Sequence, residues 1–262
     1  GKLAETFPRR LEDNPSYLYF FGDEQNKTEY REGVFVGYRY YDKKNMDVLF
    51  PFGYGLSYTT FEYSNLTLDK SEMNDTDTLT VSVNVRNTGK VKGKEVVQLY
   101  VGMAESHTIR PVKELRGFEK IELEPGEEKT VTFTLAKRAF AYYRTDISDW
   151  YVESGDYTIM AAKSSRDIAC TATVNVTSTT QIRRVYTMNS TIEEIMESPV
   201  GREILGKMMA QNPLAQADAD DIGMGEAMAR MMAEMPLRAV LSFGGDSVPA
   251  GAGEMLLQQL NA

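Results

Sequence analysis

Apolar residues alternate with polar ones in four segments between residues 60 and 177. In residues 78–86, leucine and valine occupy every second position, with threonine, serine and asparagine between them. The alternation recurs in residues 129–135, 157–161 and 170–176. Because successive side chains of a strand point to opposite faces, this period indicates strands with one face on a core and the other in water. The sequence therefore predicts an antiparallel β-domain.

Turn-forming residues separate these segments and indicate how the strands are arranged. The turns are predicted at Asn87-Thr88-Gly89, Pro125-Gly126 and Ser154-Gly155-Asp156. About seven short strands with such spacing favour an immunoglobulin-like or fibronectin-like β-sandwich. We expect Cys170 to lie on the inward face of the last strand and to pack there as a small hydrophobic residue.

The composition changes near residue 178. Of the aromatic residues only Tyr186 and Phe243 lie after residue 177, whereas 10 of the 14 methionines do. Strand-forming residues thus give way to helix-forming ones. We expect a β-sandwich over residues 60–177 and an α-helical C-terminal extension over residues 178–262.

Start and stop signals divide residues 190–262 into short helices. Ser190 with Glu193 predicts a capping box, and Ser198-Pro199 predicts an N-cap followed by proline at the first helical position. An apolar stripe follows and ends at Asn212-Pro213; its members are Ile204, Leu205, Met208 and Met209. Further helices are expected at Ala227–Glu234, Pro236–Phe243 and about 252–260.

Two features of this extension are interpreted as structural. We expect its Met-rich stripe to form core packing against the sandwich or a neighbouring subunit, rather than a cofactor site. An acidic run is expected to form a solvated loop; it consists of Asp218, Asp220 and Asp221.

Residues 1–59 contain no complete fold. Aromatic residues and glycines lie close together between Tyr30 and Tyr58, which is typical of an extended, tightly turning segment with large side chains to bury. Such a segment cannot close a core of its own. We therefore expect it to lie on a larger structure that this chain does not contain.

Charge and residue counts exclude several classes of function. The chain has 29 basic and 38 acidic residues, a formal net charge of −9, so its surface repels nucleic acid. The single cysteine excludes an internal disulfide, and the single histidine, His107, excludes a His-based metal site. No apolar run approaches the ~20 residues of a membrane-spanning helix, and no phosphate loop or metal cluster occurs. We expect no cofactor, no nucleic acid and no membrane partner.

Several ordered motifs closely resemble glycoside hydrolase family 3, the β-glucosidase and β-xylosidase family. The runs GKLAETFP (1–8), EGVFVGYRYYD (32–42) and PFGYGLSYTTFEYSNL (51–66) resemble the end of its α/β-sandwich domain and the linker that follows. Three further strings resemble its fibronectin type III-like domain: NTGKVKGKEVVQLYV (87–101), RPVKELRGFEKIELEPGE (110–127) and WYVESGDYTI (150–159). From residue 188 onward the chain is similar to helical extensions of some bacterial members.

The resemblance implies a parent enzyme that hydrolyses β-linked sugars with retention, using two carboxyl groups about 5–5.5 Å apart. In the family, the nucleophilic Asp lies in an SDW motif on a barrel domain and the acid/base Glu lies in the second domain, upstream of the segment matched here. Residues 1–59 would be the remnant of that second domain with the linker. The chain begins at Gly1 without an initiator Met, so we expect a processed protein or a fragment, and no catalytic residue.

The string Ser148-Asp149-Trp150 has the letters of the nucleophile motif, but we interpret it as structural. Trp150 leads directly into a predicted strand, turn and strand. We therefore expect Asp149 at a turn or sheet edge and Trp150 plugging the sheet, without an enclosed pocket or a second carboxylate.

The remaining candidates are expected to have no catalytic role. His107 is predicted to be an exposed loop residue. Glu32 and Asp42 flank the GYRYY run, and a role of these two acids in the sugar pocket is left open. We expect Arg39, within the run, to pair with a carboxylate or carbonyl of the missing domain. The Asn-X-Ser/Thr sequons matter only in a chain secreted by a eukaryote; they begin at Asn26, Asn65, Asn74, Asn175 and Asn189.

Two functions stay open at this point. In the first, the chain is the non-catalytic C-terminal portion of a family 3 glycoside hydrolase, and its partners are the catalytic domains, which it stabilises. Formation of a homo-oligomer through the Met-rich helical tail is left open. In the second, it is a stand-alone sandwich that binds carbohydrate or protein through an aromatic platform, although we expect core burial for its members: Tyr100, Tyr142, Tyr143 and Trp150. An inverted domain order, with the barrel beyond residue 262, is a third variant.

Overall fold

A computed structural model describes residues 1–20, 27–182, 184–210, 230–243 and 251–261. The chain divides into two compact units, residues 1–181 and residues 182–262. The first is mainly β and the second is helical. Among the described residues, no helix is both long enough and apolar enough to cross a membrane.

Two sheets form most of the first unit, and strands β1 (Phe7–Pro8) and β2 (Val48–Phe50) pair separately in a two-stranded sheet. The larger has the strand order β4-β12-β11-β6-β7. Its strands are β4 (Glu72–Asn74), β6 (Gly93–Met103), β7 (Glu114–Leu123), β11 (Gly155–Ser164) and β12 (Asp167–Thr177). The smaller has the order β3-β5-β8, with β3 at Phe61–Leu68, β5 at Leu79–Asn87 and β8 at Glu128–Leu135. All pairings are antiparallel except that of β4 with β12.

Residues of both sheets share two buried clusters. Leu79 and Val81 of β5 belong to one cluster with Leu99 of β6 and Tyr157 of β11. Further along β5, Val83 and Val85 belong to the second cluster with Val97 of β6. The residues predicted to face inward in the four alternating segments are buried or half-buried, so the period-two interpretation is confirmed. Cys170 is half-buried and packs against the second cluster, as expected.

Strand β6 departs from this alternation because both of its faces are covered. One face contributes Val97, Leu99 and Val101 to the shared clusters. On the opposite face Gln98 and Tyr100 are also buried, and Tyr100 belongs to a separate cluster with Tyr38 of the N-terminal segment. A run of consecutive buried residues results, where a half-buried strand would alternate.

Residues 60–177, all of them described, form ten strands rather than about seven. The difference comes from three strands of three residues each: β4, β9 (Tyr142–Arg144) and β10 (Asp149–Tyr151). The last two form a separate two-stranded sheet in which Trp150 pairs with Tyr143. Trp150 therefore lies on this hairpin, outside the two larger sheets, although it packs against the first cluster as a partly buried residue.

The helical unit has its own core. Its helices are α2 (Ile192–Met196), α3 (Pro199–Ala210), α4 (Leu237–Phe243) and α5 (Ala252–Asn261), and residues 230–234 are also helical. Among the described residues of this unit, the buried core consists of Tyr186, Ile195, Leu205, Leu237, Leu256 and Leu260. The expected packing of the Met-rich stripe against the sandwich or a neighbouring subunit stays a prediction. Met231 and Met255 are more than half exposed. Leucine and isoleucine therefore supply most of the apolar area that the described helices bury.

The two predicted N-terminal caps, of α2 and α3, are confirmed, and that of α2 lies one residue later than predicted. The capping box of α2 is Thr191 with Glu194, one residue later than predicted, because the Thr191 hydroxyl accepts the Glu194 N–H. Ser198 accepts the Gly201 N–H at the start of α3, as expected. Predicted features at residues 211–229, including Asn212-Pro213 and the acidic run, lie outside the described residues, as do the side chains of Met208 and Met209.

Replacement of Asn87 tests the turn that joins β5 to β6. Its fully buried amide accepts hydrogen bonds from the Thr59 hydroxyl (2.6 Å) and the Gly89 N–H (3.0 Å), and donates to the carbonyls of Val91 and Leu123 (2.9 and 3.1 Å). Asn87→Ala leaves these groups without a partner and should lower the free energy of unfolding by about 2–3 kcal/mol in urea titrations.

The matched control for this change is Asn84→Ala on the same strand. The Asn84 amide contacts Glu128 and Thr130 at the exposed side of the sheet. Water replaces those bonds, so a change within roughly 0.5 kcal/mol is expected. Equal losses in the two variants would contradict the role assigned to Asn87.

Candidate functional site

Helix α1 (Tyr38–Lys43) fastens the N-terminal segment, residues 1–59, to the larger sheet. The backbone N–H of Leu115 on β7 donates a 2.8 Å hydrogen bond to the Tyr38 hydroxyl. The Tyr38 ring meets Tyr100 of β6 edge to face and lies 4.9 Å from the Phe52 ring, centroid to centroid. These contacts cover the second face of β6. Burial also raises the pKa of the Tyr100 hydroxyl above its ordinary value.

Asp42 forms the ionic part of this attachment. Its side chain is 5% exposed, and its two carboxylate oxygens accept from Lys113 Nζ at 2.8 Å and from Arg166 Nε at 2.9 Å. Arg166 Nη2 also donates to the Met46 carbonyl at 2.7 Å. Both oxygens of Asp42 are thus bound by cations of this chain, which argues against the open role in a sugar pocket.

Residues 52 and 53 make a third attachment. Gln98 on β6 donates to the Gly53 carbonyl at 3.1 Å, and the Ser165 N–H donates to the Phe52 carbonyl at 2.9 Å. Gly53 has φ 78°, and a Cβ there would lie 2.0 Å from Gln98 Oε1. Only glycine fits this position, because any side chain would displace Gln98 and strain the backbone. We call the contacts of Tyr38, Asp42, Phe52 and Gly53 the anchor.

These contacts correct two expectations. Part of the N-terminal segment lies on this chain's own sheet, although it was expected to lie on a larger structure that the chain does not contain. Arg39 was expected to pair with the missing domain, but its Nη2 lies 3.3 Å from Glu114 Oε1 at the start of β7. The sequence did not indicate either contact, because the N-terminal segment and the strands that it contacts lie far apart along the chain.

The rest of the N-terminal segment exposes many large apolar side chains. We call this set the linker surface, and several of its members are more than two-thirds exposed. The members are Phe7, Leu11, Leu18, Phe20, Tyr30, Val34, Val36, Leu49, Phe50, Leu56 and Tyr58. Such a concentration of exposed apolar residues is typical of a surface that another macromolecule covers.

Asp149 lies where the structural interpretation placed it. It is exposed at the start of β10, and its Oδ1 accepts the backbone N–H of Trp150 at 2.7 Å. The described residues contain no group of three or more Asp, Glu, His or Cys side chains that could hold a metal ion. The hairpin offers Asp149 an edge position, whereas a glycosidase nucleophile requires a paired carboxyl group.

Two other acidic residues have distinct surroundings. Glu153 is buried, and it accepts hydrogen bonds from the Ser106 hydroxyl and the His107 N–H, while the exposed His107 ring lies 2.6 Å away. Burial opposes ionisation of Glu153, but these bonds hold its pKa below the ordinary value. Glu32 lines a cavity of about 380 Å³ beside Tyr40 and Lys43, and its Oε2 has no hydrogen-bond partner within the described ranges. The sequence did not indicate either arrangement.

The aromatic residues considered as a carbohydrate platform do not form one. Tyr100 is fully buried, and the guanidinium of Arg138 lies 3.3 Å from the centroid of the Trp150 ring. Tyr143 is half exposed but meets Trp150 edge to face. Sugar stacking requires an open ring face, and Arg138 occupies that of Trp150.

Known proteins resemble this chain both in sequence and in structure. Residues 95–165 match the model of the fibronectin type III-like domain. The whole chain is 50% identical to 34% of a thermostable β-glucosidase B from Acetivibrio thermocellus. Over 80% of the chain it is 44% identical to an exo-α-(1→6)-L-arabinopyranosidase from Bifidobacterium breve. A solved family 3 β-glucosidase from Bifidobacterium adolescentis aligns with 78% of the chain and 30% of its own length, at 41% identity and a TM-score of 0.67.

These matches define a protein with a fibronectin type III-like domain of the kind found in glycosidases. The chain corresponds to the C-terminal, fibronectin type III-like region of family 3 β-glucosidases, the region that the resemblance described as non-catalytic. It spans about a third of the length of the first of these relatives.

Replacement of Asp42 tests the anchor. Asp42→Asn removes the charge that Lys113 and Arg166 share and leaves two cations facing each other, so the free energy of unfolding of the first unit should fall by about 1–3 kcal/mol. Limited proteolysis should also cleave residues 27–50 faster. As control, Asp47→Asn removes a carboxylate that is 81% exposed and lies 3.5 Å from Arg9, and should change neither quantity measurably. An unchanged cleavage rate in Asp42→Asn would contradict the anchor.

Proposed function

We propose that this chain is a structural region that holds the linker of a β-glucosidase-type enzyme in place and docks it on the catalytic domains. The observation that carries the proposal is the division of the N-terminal segment into two parts. Its anchor is bonded to the larger sheet, while its linker surface is left exposed. A segment held on one side and apolar on the other suits a connection between two folded bodies.

The proposal includes a β-sandwich as the architecture of the fibronectin type III-like domain. Support comes from the two shared clusters, in which alternate residues of β5 meet those of β6 and β11. Two sheets that share inner-face residues in this way are typical of sandwich packing. The proposal also retains the three-part division into residues 1–59, 60–177 and 178–262.

Burial of the linker surface supplies the driving force for docking. Covering a large apolar side chain contributes roughly 1.5–3 kcal/mol relative to leaving it exposed. The members of the linker surface far exceed the scattered exposed residues of an ordinary surface. We propose the catalytic domains of the parent enzyme as the body that covers them.

The substrate of the parent enzyme is proposed to be a β-glucoside, since relatives of this chain are β-glucosidases. One relative nevertheless acts on an arabinopyranoside at comparable identity. Chains with different sugar preferences thus share this region, which supports a role in holding the enzyme together over a role in selecting the sugar.

A contact between two copies through the helical unit is the remaining partner we propose. Phe243 and Met255 are more than half exposed on α4 and α5. Analytical ultracentrifugation of the chain with and without residues 182–262 tests it: a dimer only in the longer form supports the contact, and monomers in both exclude it.

The isolated chain should hydrolyse no chromogenic β-glucoside above the rate of buffer. The reason is that a retaining mechanism needs two closely spaced carboxyl groups, and Asp149 stands exposed on a hairpin. Asp149→Ala, measured beside the unchanged chain, should give the same absence of turnover. Turnover that Asp149→Ala abolishes would refute the structural assignment.

The linker surface is tested by fragment complementation. The catalytic portion of the parent enzyme and this chain are mixed as separate polypeptides, and β-glucosidase activity is measured against chain concentration. Replacing Tyr30 and Leu56 by serine removes two side chains that are 85% and 83% exposed. The concentration for half-maximal activity should rise about 100-fold, because about 3 kcal/mol of apolar burial is lost.

The matched control replaces Val91 and Ile147 by serine, two exposed apolar residues outside the N-terminal segment. It should leave the half-maximal concentration unchanged. Equal effects of the two double variants would mean that docking does not use the linker surface.

A further inference from the structure

Three arginines converge on one carboxylate beside the anchor. The Nη2 atoms of Arg116, Arg39 and Arg110 lie 2.7, 3.3 and 3.8 Å from the Glu114 carboxylate oxygens. The side chains of Glu114 and Arg110 are only 13% and 9% exposed. One negative charge therefore faces three positive ones in a partly buried place, within a chain whose net charge is −9. We call these three arginines with Glu114 the arginine cluster.

Two donors of the arginine cluster are left unused. Arg110 Nη1 and Arg116 Nε are buried and have no hydrogen-bond partner in the part of the chain that the structure describes. A buried charged donor without a partner costs more than a lost neutral bond. Burial lowers the pKa of Arg116; Glu114 opposes this, while Arg110 and Arg39 lower it further. The surroundings thus supply less negative charge than the guanidinium groups require.

A cavity adjoins the cluster. Its volume is about 280 Å³, well above the ~30 Å³ share of one water molecule, and Arg110 lines it. Lys43 of α1 lines the same cavity, together with the hydroxyl residue Thr158. Ser106 and Thr108 also line it, but their hydroxyls already donate to Glu153 and Tyr142. Ammonium, guanidinium and hydroxyl groups are the donors that bind oxyanions in proteins.

We propose that the arginine cluster and this cavity form a binding site for a single oxyanion, a carboxylate or phosphate group. Arg110 is the fixed cation of the site because its neighbours hold it in place: Nη2 donates to the Phe140 carbonyl, and the guanidinium lies 5.3 Å from the Tyr142 ring centroid. Lys43 of α1 lines the cavity from the anchor side, and Arg39 on the same helix contacts Glu114. The oxyanion neutralises the excess positive charge that Glu114 leaves.

Two sources supply this chemistry: a free small oxyanion, or an Asp or Glu side chain of a polypeptide that docks on the N-terminal segment. The first test uses the full chain and inorganic phosphate or acetate, titrated at constant ionic strength with chloride as the reference. Calorimetry should show saturable binding, and the melting temperature should rise with phosphate or acetate beyond the chloride series. This arm stands independently of the proposed docking function.

Three variants test the site because they should change the affinity for the oxyanion in opposite directions. Arg39→Gln and Lys43→Gln each remove an accessible cation and should weaken binding about tenfold. Glu114→Gln removes the competing carboxylate and should tighten binding several-fold, an effect that a merely structural Glu114 would not produce. Arg86→Gln and Lys94→Gln, exposed cations on β5 and β6, are the matched controls and should leave binding unchanged.

A second arm distinguishes the two sources. Acetate or phosphate is added to the complementation mixture at the same ionic strength. If the added acetate or phosphate inhibits complementation, and Arg39→Gln reduces this inhibition, the occupant of the site is a carboxylate side chain of the partner. If the oxyanion binds but does not inhibit complementation, the occupant is a free oxyanion. Absence of saturable binding together with absence of competition overturns the site, and so does binding that Arg39→Gln, Lys43→Gln and Glu114→Gln all leave unchanged.

Discussion

A buried carboxylate is stable only where cations or hydrogen-bond donors replace its water, and Asp42 places this constraint on the N-terminal segment. Lys113 precedes β7 and Arg166 lies in the turn between β11 and β12, so both cations come from the larger sheet. Helix α1, which carries Asp42, lies where both Lys113 and Arg166 reach the carboxylate. The position of α1, and with it the direction of residues 44–54, follows from this requirement.

Packing around Tyr38 converts the ionic constraint into a covered surface. Its ring adds to the cluster with Tyr100 and Ala162, so β6 and β11 bury residues on the face away from the shared clusters. Gly53 brings the backbone close enough for Gln98 to bond its carbonyl, which no larger residue would permit. Charge, aromatic packing and close backbone approach thus act at three points of one segment, and together they determine how residues 38–54 lie on the sheet.

The sequence predicted those parts of the fold that local periodicity encodes. Leu79, Val81, Val83 and Val85 alternate with polar residues because one face of β5 meets water, and the structure buries all four. The covering of β6 was missed, although the run Val96, Val97, Gln98, Leu99 and Tyr100 carries the signal: a strand without alternation has two covered faces. The partners of Asp42 and Arg39 had no such signal, because an ion pair between distant segments leaves no periodic pattern. Thr191 replaced Ser190 as the cap since both hydroxyl residues precede a Glu at the required spacing, and only the backbone geometry distinguishes them.

The anchor also explains why unmatched charge collects beside it. Asp42 draws Lys113 and Arg166 to α1, while Glu114, the residue after Lys113, holds Arg39 from the same helix. Arg110 and Arg116 reach the same carboxylate from the chain on either side of it, and Phe140 and Ala141 offer them only carbonyl oxygens. Fastening a helix that carries Arg39 and Lys43 against this part of β7 therefore adds positive charge where one glutamate must balance it. The attachment of the segment and the demand for an additional negative group have the same physical origin.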